Sequence, residues 1–274
     1  MITIENFHQC LLTKNDCYIR NTNERKLATN QQDSRYRNYY QGPTKIVVHS
    51  TGANNPYISR YVQPNDGLLG ENKYGNSWNN SGLAVCVNAF IGKVTDGSVA
   101  VYQTLPWDYR PWGVGNGSKG SYNDCAIQFE ICEDNLADAN YAKECYERAA
   151  QLCAYLCHEY DIPVAGIVSH KEAHEQGYGS NHGDPEHWWR KFGLSMSNFR
   201  AKVQEILDSK KEVENMTDSI TRYNTINEMP DYAKSTIEKL VNKGYLKGDG
   251  NGFDLSLDMI RMFVILDRAD MFGA

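Results

Sequence analysis

Long apolar runs are missing from this chain. The longest, Leu83 to Ile91 and Met259 to Leu266, fall far short of the roughly 20 residues that a membrane-spanning helix needs. The opening residues, Met1 to Cys10, lack the basic, apolar and small-residue order of a signal peptide, which predicts synthesis in the cytoplasm without an export address. An excess of positive charge is missing too. Lys and Arg number 28 against 34 Asp and Glu, for a formal charge of −6, whereas a general nucleic-acid binder needs a basic face. No Cys-x-x-Cys pair occurs among the eight cysteines, which excludes a cysteine zinc ribbon. The chain also has no Gly-Lys-Ser/Thr. In the Gly-rich loop, Gly113-x-Gly115 is followed by Ser118 instead of a third glycine, so neither nucleotide-loop pattern is met.

What is present suits an ordinary globular protein: 41% hydrophobic and 23% charged residues, over a length that supports one large domain and a small one. Cys145, Cys153 and Cys157 share one face of a helix, where cysteine acts as a small apolar residue. With no export signal, the eight thiols are expected reduced and mostly buried. The first 44 residues are polar and read as irregular wrapping or a short strand at most. Strand candidates follow at Lys45 to His49, Leu83 to Lys93, Val99 to Leu105, Cys125 to Glu133 and Gly166 to His170. Asp138 to Tyr160 keeps the spacing of a helical face, and a second amphipathic helix begins near Ser197. The expected fold is α/β, a central mixed β-sheet flanked by helices, over residues 1–208. A charged linker, 209–216, then leads to a small all-α module, 217–274, with helices after Pro230 and Ser256. So small a core is marginal alone, and docking or homo-oligomerisation is expected of it.

Three features carry chemistry. His49 and His170 each end an apolar strand, and a carboxylate, Asp184, follows in a segment rich in histidine. Two strand-end histidines and a later carboxylate make a three-ligand Zn²⁺ site with one position left for water; the alternative is that each histidine is a satisfied core or loop residue. Glu130 sits beside Ile127 and Phe129 in a strand that wants burial. It is either a capped structural acid or a general base tuned by its surroundings. Trp78, Trp107 and Trp112 flank long Gly/Asn-rich loops and either stack on a ligand or pack. Asp249 to Asp254 reads as a turn, because its fifth residue is Phe where a calcium loop has a ligand.

The runs Val48-His49-Ser-Thr-Gly52, Ile127-Gln-Phe-Glu130, Ser169-His170 and Asn181-His182-Gly-Asp184-Pro together resemble the type 2 N-acetylmuramoyl-L-alanine amidases, the zinc amidase fold shared with peptidoglycan recognition proteins. The likeness covers roughly residues 8 to 207 and is nearest to phage or prophage endolysins of clostridia-like hosts. It implies a peptidoglycan hydrolase cutting between N-acetylmuramic acid and L-alanine, with Zn²⁺ on His49, His170 and Asp184. His174 is the alternative to His170. The resemblance makes Glu130 the group that deprotonates water. It puts His182 where the family usually has an oxyanion-holding lysine, and a protonated or Nε2–H imidazole can donate the same hydrogen bond. Trp78 and Trp112 become candidates for sugar stacking.

The stretch from Met229 to Gly248 and from Met259 to Arg268 resembles half of an S-layer-homology-like repeat, which implies attachment to a secondary wall polymer; a helical dimerisation tail is the other reading. An endolysin of this kind reaches the wall after a pore opens in the membrane. Two rivals follow from other classes: a non-catalytic peptidoglycan-recognition module, and a wall hydrolase with a cysteine nucleophile.

Overall fold

The computed structural model describes residues 2–23, 43–62, 67–218 and 221–273, with side chains placed outside 212–218. Most of the polar stretch from Asn21 to Gln41 therefore lies outside the described residues. The chain divides into two compact units, Met1–Asp208 and Ser209–Ala274.

In the first unit the elements run β1 (Phe7–Gln9), α1 (Asp16–Asn23), β2 (Lys45–Ser50), β3 (Ala89–Lys93), β4 (Val99–Gln103), β5 (Ala126–Ile131), α2 (Ala139–Tyr160), β6 (Ile167–Ser169), α3 (His170–Gln176), α4 (Glu186–Trp189) and the start of α5 (Met196–Asp218), which runs past Asp208. Six strands form one mixed sheet in the order β1-β4-β3-β5-β2-β6. Only β3 and β4 pair antiparallel, so β2, β3, β5 and β6 share a direction and end on the same edge. Loops beyond the carboxyl ends of such strands are where α/β sheets place their ligands.

Alternation across the strands sorts their residues. Ile46 and Val48, Ile127 and Phe129, and Ala89 and Ile91 enter the main core with α2 and with Phe199 and Val203 of α5. The opposite face holds Val47, His49, Gln128 and Glu130, in register as His49 with Glu130. Asp138 caps α2, its carboxylate accepting from the Asn140 and Tyr141 N–H groups. All eight cysteines are free thiols and seven are buried; Cys145, Cys153 and Cys157 lie in the core beneath the sheet.

Several expectations need correction. The N-terminal stretch holds the short strand allowed for it, β1, at the sheet edge beside β4, but it also holds a helix, α1, which packs Cys17 into a second core. Residues 83–88 are not strand; Cys86 instead bridges Trp112. Helix α5 continues to Asp218, so the expected linker at 209–216 is helical backbone. The charged run is the tail of the helix begun near Ser197, since lysine and glutamate are good helix formers and prolong a helix already nucleated.

The second unit contains β7 (Arg222–Tyr223), α6 (Asp231–Asn242), β8 (Leu255–Ser256) and α7 (Leu257–Arg268). It is not all-α, because β7 and β8 form a short antiparallel pair. Met229, Ala233, Ile237 and Leu240 pack with Leu255, Ile260 and Val264. Lys239 and Thr236 of α6 both bond the Asp267 carboxylate of α7, at 2.9 and 2.8 Å.

Candidate metal centre and active site

His49, His170 and Asp184 converge. Their ligating atoms lie within 4.8 Å of one another and all three residues are buried. His49 Nδ1 is 3.0 Å from His170 Nδ1. The Asp184 oxygens lie 3.3 Å from the first ring and 3.4 Å from the second. These are three electron-rich atoms around one point, and either a proton or a metal ion must sit between them.

The outer hydrogen bonds decide which suits better. His49 Nε2 lies 3.0 Å from Gln128 Oε1. That oxygen faces the ring because Gln128 Nε2 donates to Asn123 Oδ1 at 2.9 Å. His49 therefore carries its proton on Nε2 and turns a lone pair inward from Nδ1. Ser180 Oγ donates its one proton to the Val114 carbonyl at 3.1 Å, and so accepts from His170 Nε2 at 3.1 Å. His170 also presents an Nδ1 lone pair. Two lone pairs facing each other beside a carboxylate fit a divalent cation, and two imidazoles with one carboxylate are a catalytic zinc donor set. Without an ion, burial raises the Asp184 carboxyl, but protons on the His170 and His49 imidazoles outweigh it and hold that carboxyl well below the usual range; a divalent cation would take the place of those protons.

Local structure explains these placements. His49 is carried by β2, an inner strand between β5 and β6. His170 does not end a strand: it is the first residue of α3, behind the N-cap Ser169. Ser169 Oγ accepts from the Glu172 N–H at 2.9 Å, while Glu172 accepts from the Ser169 N–H at 3.1 Å, a reciprocal capping box. Arg200 of α5 clamps Glu172 at 2.9 and 3.0 Å. Asp184 is held from both sides. The Ser50 N–H donates to its Oδ2 at 3.2 Å, and Trp188 and Trp189, fully buried, anchor the following turn.

Around the cluster lies a pocket of about 430 Å³, lined by the three residues together with Glu130, His182, His187 and Gly113. Glu130 Oε2 is buried and has no hydrogen-bond partner. Burial first, then the Asp184 and Glu133 carboxylates, raise the Glu130 carboxyl well above its ordinary range. Gly113 has to lack a side chain, since a Cβ would come within 2.6 Å of Gln128 Oε1. His182 is exposed at the mouth, with Nδ1 3.0 Å from Ser180 Oγ. Because that oxygen has given its proton to Val114, His182 must donate from Nδ1, and its Nε2 can donate only when the ring is doubly protonated. His174 stands outside the cluster, on α3, with Nδ1 3.2 Å from the Gly179 carbonyl.

The tryptophans divide. Trp78 sits edge-on to Tyr61 and Phe90, at 5.5 and 5.2 Å, in the second core, and is not part of the pocket wall. Trp112 is 38% exposed, next to Gly113, with the Arg110 guanidinium over its ring at 4.6 Å. Sequence reasoning missed Gln128, Ser180, Glu133 and His187. Glu133 is buried and accepts from Ser50 Oγ, and His187 Nε2 lies 3.1 Å from the same oxygen. Gln128 could have been found, being a polar residue inward on the same strand face as Glu130.

A parallel-edged α/β sheet with two histidines, a carboxylate and an unpaired buried glutamate in one pocket is the kind of site a hydrolase uses, with three side chains that could hold a metal ion. The particular family is given by the sequence itself: residues 39–187 match the N-acetylmuramoyl-L-alanine amidase model known as Amidase_2, more than half of the chain, and the chain belongs to that family. It is 26% identical over 190 residues to Protein Ami of Listeria monocytogenes, covering 66% of this chain and 18% of that protein. It is 31% identical over 140 residues to the N-acetylmuramoyl-L-alanine amidase CwlH of Bacillus subtilis, covering 49% and 46%. The chain thus spans less than half the length of these curated relatives. Among solved structures, Staphylococcus aureus hydrolase AmiA in complex with its ligand aligns at 24% identity and a TM-score of 0.47, over 65% of this chain and 78% of that one.

Proposed function

We propose that this protein hydrolyses the amide between the lactyl carboxyl of N-acetylmuramic acid and L-alanine in peptidoglycan, as a zinc enzyme. The observation that carries this reading is the convergence of the His49 Nδ1, His170 Nδ1 and Asp184 donors beside the unpaired Glu130 oxygen, inside the region matched to the amidase family. A Zn²⁺ held by these three residues would polarise the scissile carbonyl and bring a water toward neutral acidity.

The chain's own groups do the rest. Gln128 and Ser180 keep both imidazoles in the tautomer that ligates. Glu130 accepts the water proton at Oε2 as oxygen adds to the carbonyl carbon, then hands it to the alanine nitrogen as the C–N bond breaks. The products are a lactyl carboxylate on the glycan and a free L-alanine amine on the peptide. A carboxyl whose surroundings favour its protonated form is suited to carry that proton between the two steps. His182, doubly protonated, donates from Nε2 to the developing oxyanion.

A cysteine nucleophile finds no support: no cysteine lines the pocket, and burial pushes Cys125 up to about 11 and Cys157 up to about 12. The test is to digest purified walls and identify new ends by mass, with metal content measured on the same preparation. New L-alanine amines on intact glycan, lost on chelation and restored by Zn²⁺, are expected. New reducing sugar ends would overturn the amidase reading. Substoichiometric metal with wall binding but no cleavage would favour a recognition module.

A further inference from the structure

A second cavity, about 640 Å³, lies in the same unit and shares no lining residue with the metal pocket. Its walls include Asn55, Tyr57, Arg60, Lys73, Tyr74 and Asn76. Tyr57 is 44% exposed and Tyr74 85%, so two aromatic faces stand open beside side-chain amides. Among the described residues of the wall, Arg60 and Lys73 outnumber the one carboxylate, Glu71.

The wall is built in advance. Asn72 Nδ2 donates to the Arg60 carbonyl at 3.0 Å and its Oδ1 accepts from the Tyr74 N–H at 3.1 Å. Asn55 Oδ1 accepts from the Tyr57 N–H at 3.0 Å. Thr95, in the turn after β3, donates from N and Oγ1 to the Leu68 carbonyl, at 3.0 and 2.8 Å. Gly70, at φ +84°, lets the loop press on that turn, where a Cβ would come within 2.5 Å of Thr95 Cγ2. Leu69 is fully buried beneath. Rigid aromatic faces with a few fixed polar groups are how a protein holds an amphipathic ligand.

The two cavities are joined by one loop. Gly52 lines the metal pocket and Asn55 lines the second cavity, and three residues span at most about 11 Å. The walls of the two cavities therefore come within about 11 Å of each other along this loop. Sugar rings present apolar faces to aromatics and hydroxyl and acetamido groups to amides. The cations ask for a carboxylate as well, and the glycan carries one only after the amide at that sugar has been hydrolysed.

We propose that this cavity is a glycan subsite that binds the peptide-free strand left by the reaction, its tyrosines stacking on sugar rings and its cations pairing with the freed lactyl carboxylate. The choice of ligand rests on the amidase reading; the existence of the subsite does not require turnover. It would hold the enzyme on a strand whose neighbouring sugars are still substituted.

The experiment uses the full chain and peptide-free N-acetylglucosamine–N-acetylmuramic acid oligomers, which contain no amide for the proposed reaction to cut, with neutral N-acetylglucosamine oligomers as the second probe. Binding is followed calorimetrically. Tyr74→Ala should weaken both probes about tenfold, the scale of one lost aromatic contact. Lys73→Gln should weaken only the carboxylate-bearing oligomer, and salt should mimic it. Cleavage of a muramoyl peptide with a single sugar should be unchanged in both variants. Absence of binding by either probe, or equal binding by parent and both variants, overturns the subsite while leaving the amidase reading intact if the muramoyl peptide is still cut. Variant-sensitive binding by a chain that cuts no muramoyl peptide supports the subsite and sinks the amidase reading instead.

Discussion

Glu130 is an acid without a hydrogen-bond partner on its buried oxygen, a cost that structure alone does not repay. Glu130→Gln is expected to keep its metal and lose about 10²- to 10⁴-fold in turnover, the range of general-base catalysis. Activity and metal content measured together check this; a variant that loses the metal would make Glu130 a ligand. Glu133 has a different part. Its hydrogen bond to His187 raises that histidine, against the desolvation that lowers it. A raised histidine contributes stability below its unfolded value of about 6.5 and loses it as pH rises through the folded value. The melting-temperature gap between the metal-free parent and His187→Gln should therefore be widest near pH 6 and narrow with rising pH. A gap that widens above neutrality would reverse the assignment.

At the scale of elements, the short α3 matters most. It begins on His170, one of the three candidate metal ligands, and its orientation depends on the Ser169 capping box and on Arg200 reaching across from α5 to Glu172. Losing a serine N-cap typically costs about 1 kcal/mol. Ser169 Oγ also donates to Glu186 Oε1 at 2.7 Å, which ties α3 to the turn carrying Asp184. Ser169→Ala should lower stability by about 1–2 kcal/mol in denaturant titration and weaken metal affinity beyond what a distant cap would, because two ligand-bearing segments loosen together. Unchanged metal affinity would confine Ser169 to capping. Position 170 also shows a limit of pattern reading. The apolar run Ile167-Val-Ser169 predicts a strand ending at His170, yet a serine followed three residues later by glutamate is the start signal of a helix.

Across the whole molecule, the two units each have their own apolar core. Residues 1–208 are expected to fold alone and cut solubilised substrate, while losing much of their binding to intact walls. Circular dichroism, turnover on muramoyl peptide and wall sedimentation check this. A fragment that sediments with walls as well as the full chain would make the C-terminal unit something other than a targeting module. No helix among the described residues is long and apolar enough to cross a membrane, in keeping with the short apolar runs of the sequence.

The mixed sheet, the long helix α2 and the family were legible before any coordinates, because each rests on local pattern. Buried strands need apolar runs, a packed helix needs a stripe, and family motifs are contiguous strings. That His49, His170 and Asp184 come together was legible for the same reason, each embedded in such a string. Edge strand β1 was legible only as a short strand somewhere in a polar stretch, since three residues with one side open carry no periodicity; helix α1 was not legible, with only Cys17 and Asn21 buried among its eight residues. The tautomers of His49 and His170 depend on Gln128, Asn123 and Ser180, residues up to 79 positions away. Whether an indole faces a groove or a core is likewise a question of packing: Trp78 turns into the second core, while Trp112 stays at the surface. Sequence determines which groups are available and which segments fold locally. Only the tertiary structure decides which lone pair, which proton and which ring face meets the others, because those choices are made by neighbours that the chain brings together from far apart.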